Sequence, residues 1–312
     1  MVKQTKPRGC NMKMPNFMII GAAKAGTTAL YKYLEEHPQI FMSPQKEPRF
    51  FALEGEKIDF RGPGAMTRFR YVTDIETYRL LFKNVSNELA IGEASTWYLY
   101  IPKAAKGIRH YLPNVKLIVM LRDPVQRAYS NFLGLRREGV EPLEDFTEAM
   151  VAEKERMENN WSPTWHYQQK GFYYNQLKRY FELFEKSQIR IYLYEDLKAN
   201  STNVVQDIFR FLSVDDTFVA DTSQKHNVSG IPRNKALHQF LNQSNPLRGF
   251  MHSFVPAKLR KRVKNNLINL NLQNKNQPLL PEIRKQFVEV YREDILKLQE
   301  LIDRDLSQWL KV

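Results

Sequence analysis

The chain has 312 residues, 43% hydrophobic and 26% charged, with 47 Lys and Arg against 34 Asp and Glu for a formal net charge of +13. These values are ordinary for a soluble globular protein with one large buried core, or at most two domains. The longest apolar runs, FMII at 17–20 and LIVML at 117–121, are of buried-strand length, far below the ~18 residues of a membrane span. The opening MVKQTKPRGCNMKMP is basic and lacks the apolar centre of a signal peptide, so the expectation is a soluble, cytoplasmic protein. The single cysteine, Cys10, allows no internal disulfide and no structural zinc site, and nothing near it marks a catalytic thiol. The positive surplus favours a polyanionic partner such as a nucleic acid, an anionic lipid, an acidic glycan or a multiply phosphorylated cofactor. No zinc-finger, RNP or basic-zipper pattern accompanies it, so a nucleic acid is not expected, and PAKLRKRVKNN at 256–266 reads first as a solvated helix face.

In chain order, NFMII at 16–20 is a strand signal, followed by GAAKAGTT and then a helix, TTALYKYLEEH, stopped by His37 and Pro38. Residues 40–75 are irregular, rich in Pro, Gly and Arg. A short helix over ETYRLLFKNV precedes a strand at 89–92 that runs into GEAS, then a helix over KAAKGIRHYLP and a strand at 116–121. A helix follows over RDPVQRAYSNFLGLRRE, then a helical region over 142–186 broken at WSPTW, a strand at 189–194 and a helix over NVVQDIFRFL. The loop TSQKHNVSGIPRNKAL leads into a basic, helical C-terminal third. Strands alternating with helices predict an α/β fold with a central, mostly parallel sheet flanked by helices, in one domain over 15–312 behind a basic tail over 1–14.

Two segments have the chemistry of anion sites. In GAAKAGTT, Gly21 and Gly26 keep the spacing of a P-loop, and a strand-to-helix loop exposes backbone N–H groups that an anion can satisfy. Thr27 stands where the P-loop lysine belongs, and the loop's only lysine, Lys24, lies three residues earlier. A metal-binding aspartate is also doubtful, because Asp123 heads into Pro124 and is more simply a helix cap. A loop that grips phosphate without these partners points to transfer of a group other than phosphoryl. In LRDPVQRAYS, Arg122 leaves the end of a buried strand and Ser130 lies about two helical turns on, so the pair can hold a second phosphate. An ion pair for Arg122 and a solvent-facing Ser130 explain the same residues. The six histidines have no metal spacing, and no metal is expected.

The series GAAKAGTTALYKYLEEHP, KEPRFF, GEASTWYLY, LRDPVQRAYSNFL and YEDL resembles, in order, the sulfotransferases that use 3′-phosphoadenosine 5′-phosphosulfate (PAPS). The likeness spans roughly residues 15 to 310 and is nearest to the bacterial members and the heparan sulfate sulfotransferase domains. It implies the P-loop-like sulfotransferase fold. It implies that Ala23, Lys24, Ala25, Gly26, Thr27 and Thr28 hold the 5′-phosphosulfate, with Lys24 offsetting charge on the leaving phosphate. It further implies that Arg122 and Ser130, with Ser229, Gly230 and Arg233 of the late loop, hold the 3′-phosphate. Glu47 would be the base for the acceptor. Arg49 stands where many relatives carry a histidine, and Ala94 where relatives often carry a lysine. Glu93 would be a second base or an acceptor-positioning group, with a structural carboxylate as the alternative. Acceptor contacts would come from Arg49, Trp97, Trp165, His166 and Tyr173.

The expected partners are thus the nucleotide donor and an acceptor. A small metabolite or natural product sulfated on a hydroxyl comes first, an amine or amide nitrogen second, and a carbohydrate or glycan stands as the alternative. From other classes, a P-loop kinase or NTPase and a non-enzymatic polyanion binder are the competing readings.

Overall fold

The computed structural model describes residues 13–67, 70–222 and 278–312, together with the backbone of 231–232 and 272–273. Along the chain run β1 (Phe17–Gly21), α1 (Thr27–Glu35), β2 (Ile40–Met42), α2 (Phe50–Leu53), α3 (Ile75–Leu80), β3 (Ala90–Ala94), α4 (Trp97–Tyr100) and α5 (Pro102–Tyr111). There follow β4 (Lys116–Leu121), α6 (Pro124–Arg137), α7 (Phe146–Val151), α8 (Glu153–Glu158) and α9 (Tyr173–Phe181). The series closes with β5 (Ile189–Leu193), α10 (Tyr194–Ala199), α11 (Ser201–Leu212), the two-residue strands β6 (Ile231–Pro232) and β7 (Leu272–Gln273), and α12 (Pro281–Ile302). By their internal contacts these elements fall into two compact units.

The first unit takes the described residues of Met1–Ile58, Arg70–Leu121 and Gln176–Thr222. Its centre is a five-stranded sheet in the order β2-β3-β1-β4-β5, with every neighbouring pair parallel. β1 and β3 are buried at every residue and β4 at all but Lys116, as continuous apolar strands covered on both faces should be. The four expected strands are all present, within one or two residues of their expected ends. β2 went unpredicted because its three residues, IFM, are too few to show a period. Flanking helices follow their sequence signals: α11 turns Val204, Val205, Ile208, Phe209 and Leu212 inward at helical spacing. Its start is capped by Asn200, whose side chain accepts from the Asn203 N–H.

The second unit takes the described residues of Asp59–Phe69, Arg122–Asn175 and Ser223–Val312. α6 begins at Pro124 behind Asp123, whose carboxylate accepts from the N–H groups of Val125 (2.9 Å) and Gln126 (3.0 Å). The same carboxylate meets Arg284 of α12 at 2.8 Å. Asp123 is therefore the helix cap its sequence context indicates. The region expected to be helical over 142–186 is a chain of short helices rather than one long one.

At the heart of this unit Arg156 forks onto Glu141, with Nη1 to Oε2 at 2.8 Å and Nη2 to Oε1 at 2.7 Å. Tyr167 donates its hydroxyl to Glu141 Oε2 at 2.5 Å, the Leu143 N–H donates to Oε1, and the Trp161 ring lies 4.9 Å from the guanidinium. A buried pair so fully satisfied contributes little relative to an apolar substitute, but either charge left alone is expensive. The single variant Arg156→Met should lower unfolding free energy by about 3–5 kcal/mol. The double variant Glu141→Gln with Arg156→Met should recover much of that loss in urea titrations followed by tryptophan fluorescence.

Candidate active site

Parallel strands bring their carboxyl ends to one edge of a sheet, and ligands of open α/β sheets bind there, where strand order reverses. β1 is that reversal point, flanked by β3 on one side and β4 on the other. Its loop, residues 22–26, is tied in by Ala22 N–H to the Met120 carbonyl at 2.6 Å. Lys24 sits mid-loop in the left-handed region (φ 69°), half-buried like Ala23, while Ala25 is fully buried. Gly26 follows at φ 88°, and a Cβ there would stand 3.0 Å from Leu197 and 3.1 Å from the Tyr194 ring. Glycine is thus required twice over, by conformation and by close approach. α1 starts at Thr27 with no side-chain cap and no acidic residue in its first turn, so no side chain of that turn takes up its leading N–H groups. Thr27 is buried and Thr28 half-buried on that turn.

The adjacent strand carries the second cluster. β3 ends at Ala94, and Ala94 with the following Ser95 and Thr96 each grips the turn between β2 and α2. The Ala94 carbonyl accepts from the Glu47 N–H at 2.8 Å, and Ser95 Oγ accepts from the Arg49 N–H at 3.0 Å. Thr96 donates twice to the Glu47 carboxylate, from its N–H to Oε2 and from its hydroxyl to Oε1, both at 3.0 Å. Glu47 and Arg49 both take left-handed backbone (φ 59° and 64°) around Pro48, a conformation that costs non-glycine residues about 1–2 kcal/mol each and that these hydrogen bonds offset.

Charge surrounds the Glu47 carboxylate. Lys46 Nζ lies 3.3 Å from Oε1 and Arg49 Nε 3.7 Å from Oε2, while the side chain keeps 17% exposure. Burial pushes its pKa up, but Lys46, Arg49 and the two Thr96 hydrogen bonds outweigh that and hold Glu47 below the usual glutamate value. The Arg49 guanidinium is itself buried, 4.2 Å from the Trp97 ring centre and 5.5 Å from that of Tyr71. Trp97 is buried beneath it. Ser95, Thr96 and Tyr71 escaped sequence reasoning. The first two lie in the quoted GEASTWYLY, where hydroxyl residues after a strand could have been noticed; Tyr71, in an irregular stretch, offered no signal.

Glu93 differs in kind. It lies inside β3, beside Met18 of β1, and is fully buried. The Tyr78 hydroxyl donates to its Oε1 at 3.0 Å, and Tyr78 is stacked on Phe50 at 4.6 Å. Burial drives the Glu93 pKa up to about 7, against the hydroxyls of Tyr98, Tyr78 and Ser95, and the Glu47 charge adds to the rise. Two glutamates of one unit therefore sit in opposite protonation states near pH 6, the pattern that separates acid from base roles.

In the second unit, Arg122 is half-buried and its carbonyl accepts from the Tyr173 hydroxyl at 3.0 Å. Ser130 is half-buried on α6. Trp165 and Tyr173 are fully buried, Trp165 edge-on to Trp161 and Tyr173 near Trp309. His166 is 8% exposed, its pKa brought down to about 3 by burial and by Lys170. Ser229, Gly230, Arg233 and the basic run 256–266 lie outside the described residues. Among the described residues no group of three or more His, Cys, Asp or Glu is arranged to hold a metal ion, and no helix is long and apolar enough to cross a membrane.

The sequence model of the Sulfotransferase family matches residues 15–217. The structure is similar to the crystal structure of a sulfotransferase from Alicyclobacillus acidocaldarius, with 32% identity, a TM-score of 0.75, and 95% of this chain and 99% of that chain covered. Among curated proteins it is similar to the membrane-associated sulfotransferase kil1 of Dictyostelium discoideum, 25% identical over 73% of this chain and 62% of that one. Human carbohydrate sulfotransferase 15 is 27% identical over 64% of this chain and 44% of that one. The chain thus spans about half the length of the curated relatives it matches.

The buried Glu93 makes a testable contribution to stability. Its folded-state pKa of about 7 lies above the ordinary 4.5, so its protonated form stabilises the fold fully below pH 4.5, and that contribution is lost as pH rises toward 7. The loss amounts to about 3 kcal/mol. Glu93→Gln should therefore be more stable than the parent at pH 8 and show a smaller gain or none at pH 5, read as a difference in melting temperature.

Proposed function

The chain belongs to the sulfotransferase family, and from that premise we propose that it moves the sulfuryl group of PAPS to an acceptor hydroxyl, with Glu47 as base and Lys24 at the leaving phosphate. The observation that carries this is the Glu47 carboxylate: ionised, partly exposed, and pinned at the carboxyl end of β3, the strand that pairs with the one bearing the Lys24 loop. A base must be deprotonated at working pH and within reach of the proton it takes. Glu47 meets the first condition through Lys46, Arg49 and Thr96, and its exposure serves the second. Buried Glu93, protonated up to about pH 7, suits a supporting role better than that of a base.

The residues present fit the donor. The uncapped first turn of α1, the glycine-shaped contour at Gly26 and the mid-loop Lys24 together make a cradle for a 5′-phosphosulfate, with Thr27 and Thr28 at its helix end. Arg122 and Ser130 are proposed for the 3′-phosphate. When bound, PAPS supplies an activated sulfuryl group. Glu47 takes the acceptor's hydroxyl proton as the acceptor oxygen bonds to sulfur; the bond from sulfur to the bridging oxygen breaks, and its electron pair leaves on the bisphosphate, where Lys24 offsets the charge. Asp123, engaged as a helix cap and paired with Arg284, argues against the kinase or NTPase reading, which needs a free carboxylate for its metal.

For the acceptor, a carbohydrate hydroxyl is favoured by the similarity to human carbohydrate sulfotransferase 15. In the aromatic stretch 161–174 the Trp165, Tyr167 and Tyr173 rings are fully buried, while Trp161, Phe172 and Tyr174 are partly exposed, so these rings do not separate a small-molecule acceptor from a sugar.

Adenosine 3′,5′-bisphosphate should raise the melting temperature in the presence of EDTA; stabilisation by Mg-ATP alone would overturn the assignment. Lys24→Ala and Glu47→Gln should each lower kcat about 10²–10³-fold, measured with radiolabelled donor over a panel of sugar, small-phenol and amine acceptors. Near-normal turnover in Lys24→Ala would remove the leaving-group role.

A further inference from the structure

Thr96 occupies the N-cap position of α4, where a threonine hydroxyl ordinarily accepts from its own helix. Here it makes no such bond and donates instead to Glu47 Oε1, 49 residues away in sequence, while its backbone N–H donates to Oε2. The two donors come from one residue and reach both oxygens of one carboxylate, which fixes the carboxylate plane as well as its place. Thr96 is 8% exposed, so the bonds are shielded from water. Charged neighbours act on the same carboxylate from other directions: Lys46 and Arg49 from its own turn, and Glu93 from β3. None of these bridges both oxygens among the described contacts; Lys46 lies near Oε1 and Arg49 near Oε2.

We propose that Thr96 is a positioning residue for Glu47, its hydroxyl and N–H together aiming the carboxylate for proton abstraction and favouring its ionised form. This rests on the assignment of Glu47 as the base. A helix-capping role, by contrast, would act on α4 and leave Glu47 unchanged. The hydroxyl is the part a side-chain substitution can remove, since the backbone donor stays.

The test uses Thr96→Val, which keeps the shape and loses the hydroxyl, and Thr96→Ser, which keeps the hydroxyl. Thr96→Val should lower kcat/KM about tenfold, the effect of one hydrogen bond to a charged group. Its acid limb should move to higher pH, because Glu47 would protonate more readily, and Thr96→Ser should restore both. A second readout needs no turnover: the carbon-13 carboxyl titration of Glu47 in the donor-free protein, assigned by its absence in Glu47→Gln, should move upward in Thr96→Val. Should Thr96→Val not fold, Thr96→Ala carries the same comparison. A Glu47 titration identical to that of the parent in the variant lacking the hydroxyl would overturn the proposal. An upward shift combined with an active Glu47→Gln would uphold the clamp and strike down the base assignment instead, so the two failures are distinguishable.

Discussion

Because the five strands all run the same way and the central ones are buried on both faces, the sheet offers chemistry only where its strands end. The residues proposed for transfer in the first unit belong to that edge: Lys24 in the loop after β1, and Glu47 in a turn fastened to the end of β3. Neither is on a strand, yet neither is loose, since hydrogen bonds from the sheet's own terminal residues fix both segments. Precision in a loop has been obtained by tying it to a rigid scaffold, and the strained backbone at positions 24, 47 and 49 is the counterpart of that tying.

The same edge sorts two identical side chains into different states. Glu47 and Glu93 have one chemistry in water. One is ringed by an ammonium, a guanidinium and two hydrogen-bond donors, while the other is sealed inside a strand among tyrosines. Arg49 contributes a fixed positive charge packed near the rings of Trp97 and Tyr71. An arginine keeps that charge across the neutral range.

Much of the fold could be read from the chain because its strands are continuous apolar runs and its main helices carry clear stops and caps. KLIVML admits little besides a buried strand, and Asp123-Pro124 little besides a helix start. β2 was illegible because three residues carry no period, and the break-up of 142–186 into short helices because tertiary contacts overrode a weak helical pattern. Candidate residues near the two glycines and the KEPRFF motif were legible as chemistry, but the contacts among them were not. Nothing local announces that Thr96 reaches Glu47, or that Tyr71 lies against Arg49; those pairings are set by sheet order, which brings residues 49 and 22 positions apart into contact. Trp165 and Tyr173 show the converse: an aromatic residue is visible in the sequence, but its burial is set by packing.

α4 is four residues long and begins without a side-chain cap, so its persistence depends on packing, with Leu99 lodged against the bare backbone of Gly21, where a Cβ would come within 2.7 Å. Local stability and chemistry therefore make opposing demands on residue 96. A search for thermostable variants that scored only melting temperature would drift toward side chains that turn back and cap the helix. Such variants would unfold later and work more slowly, and the divergence between their heat tolerance and their turnover would mark position 96 as one the enzyme holds in tension.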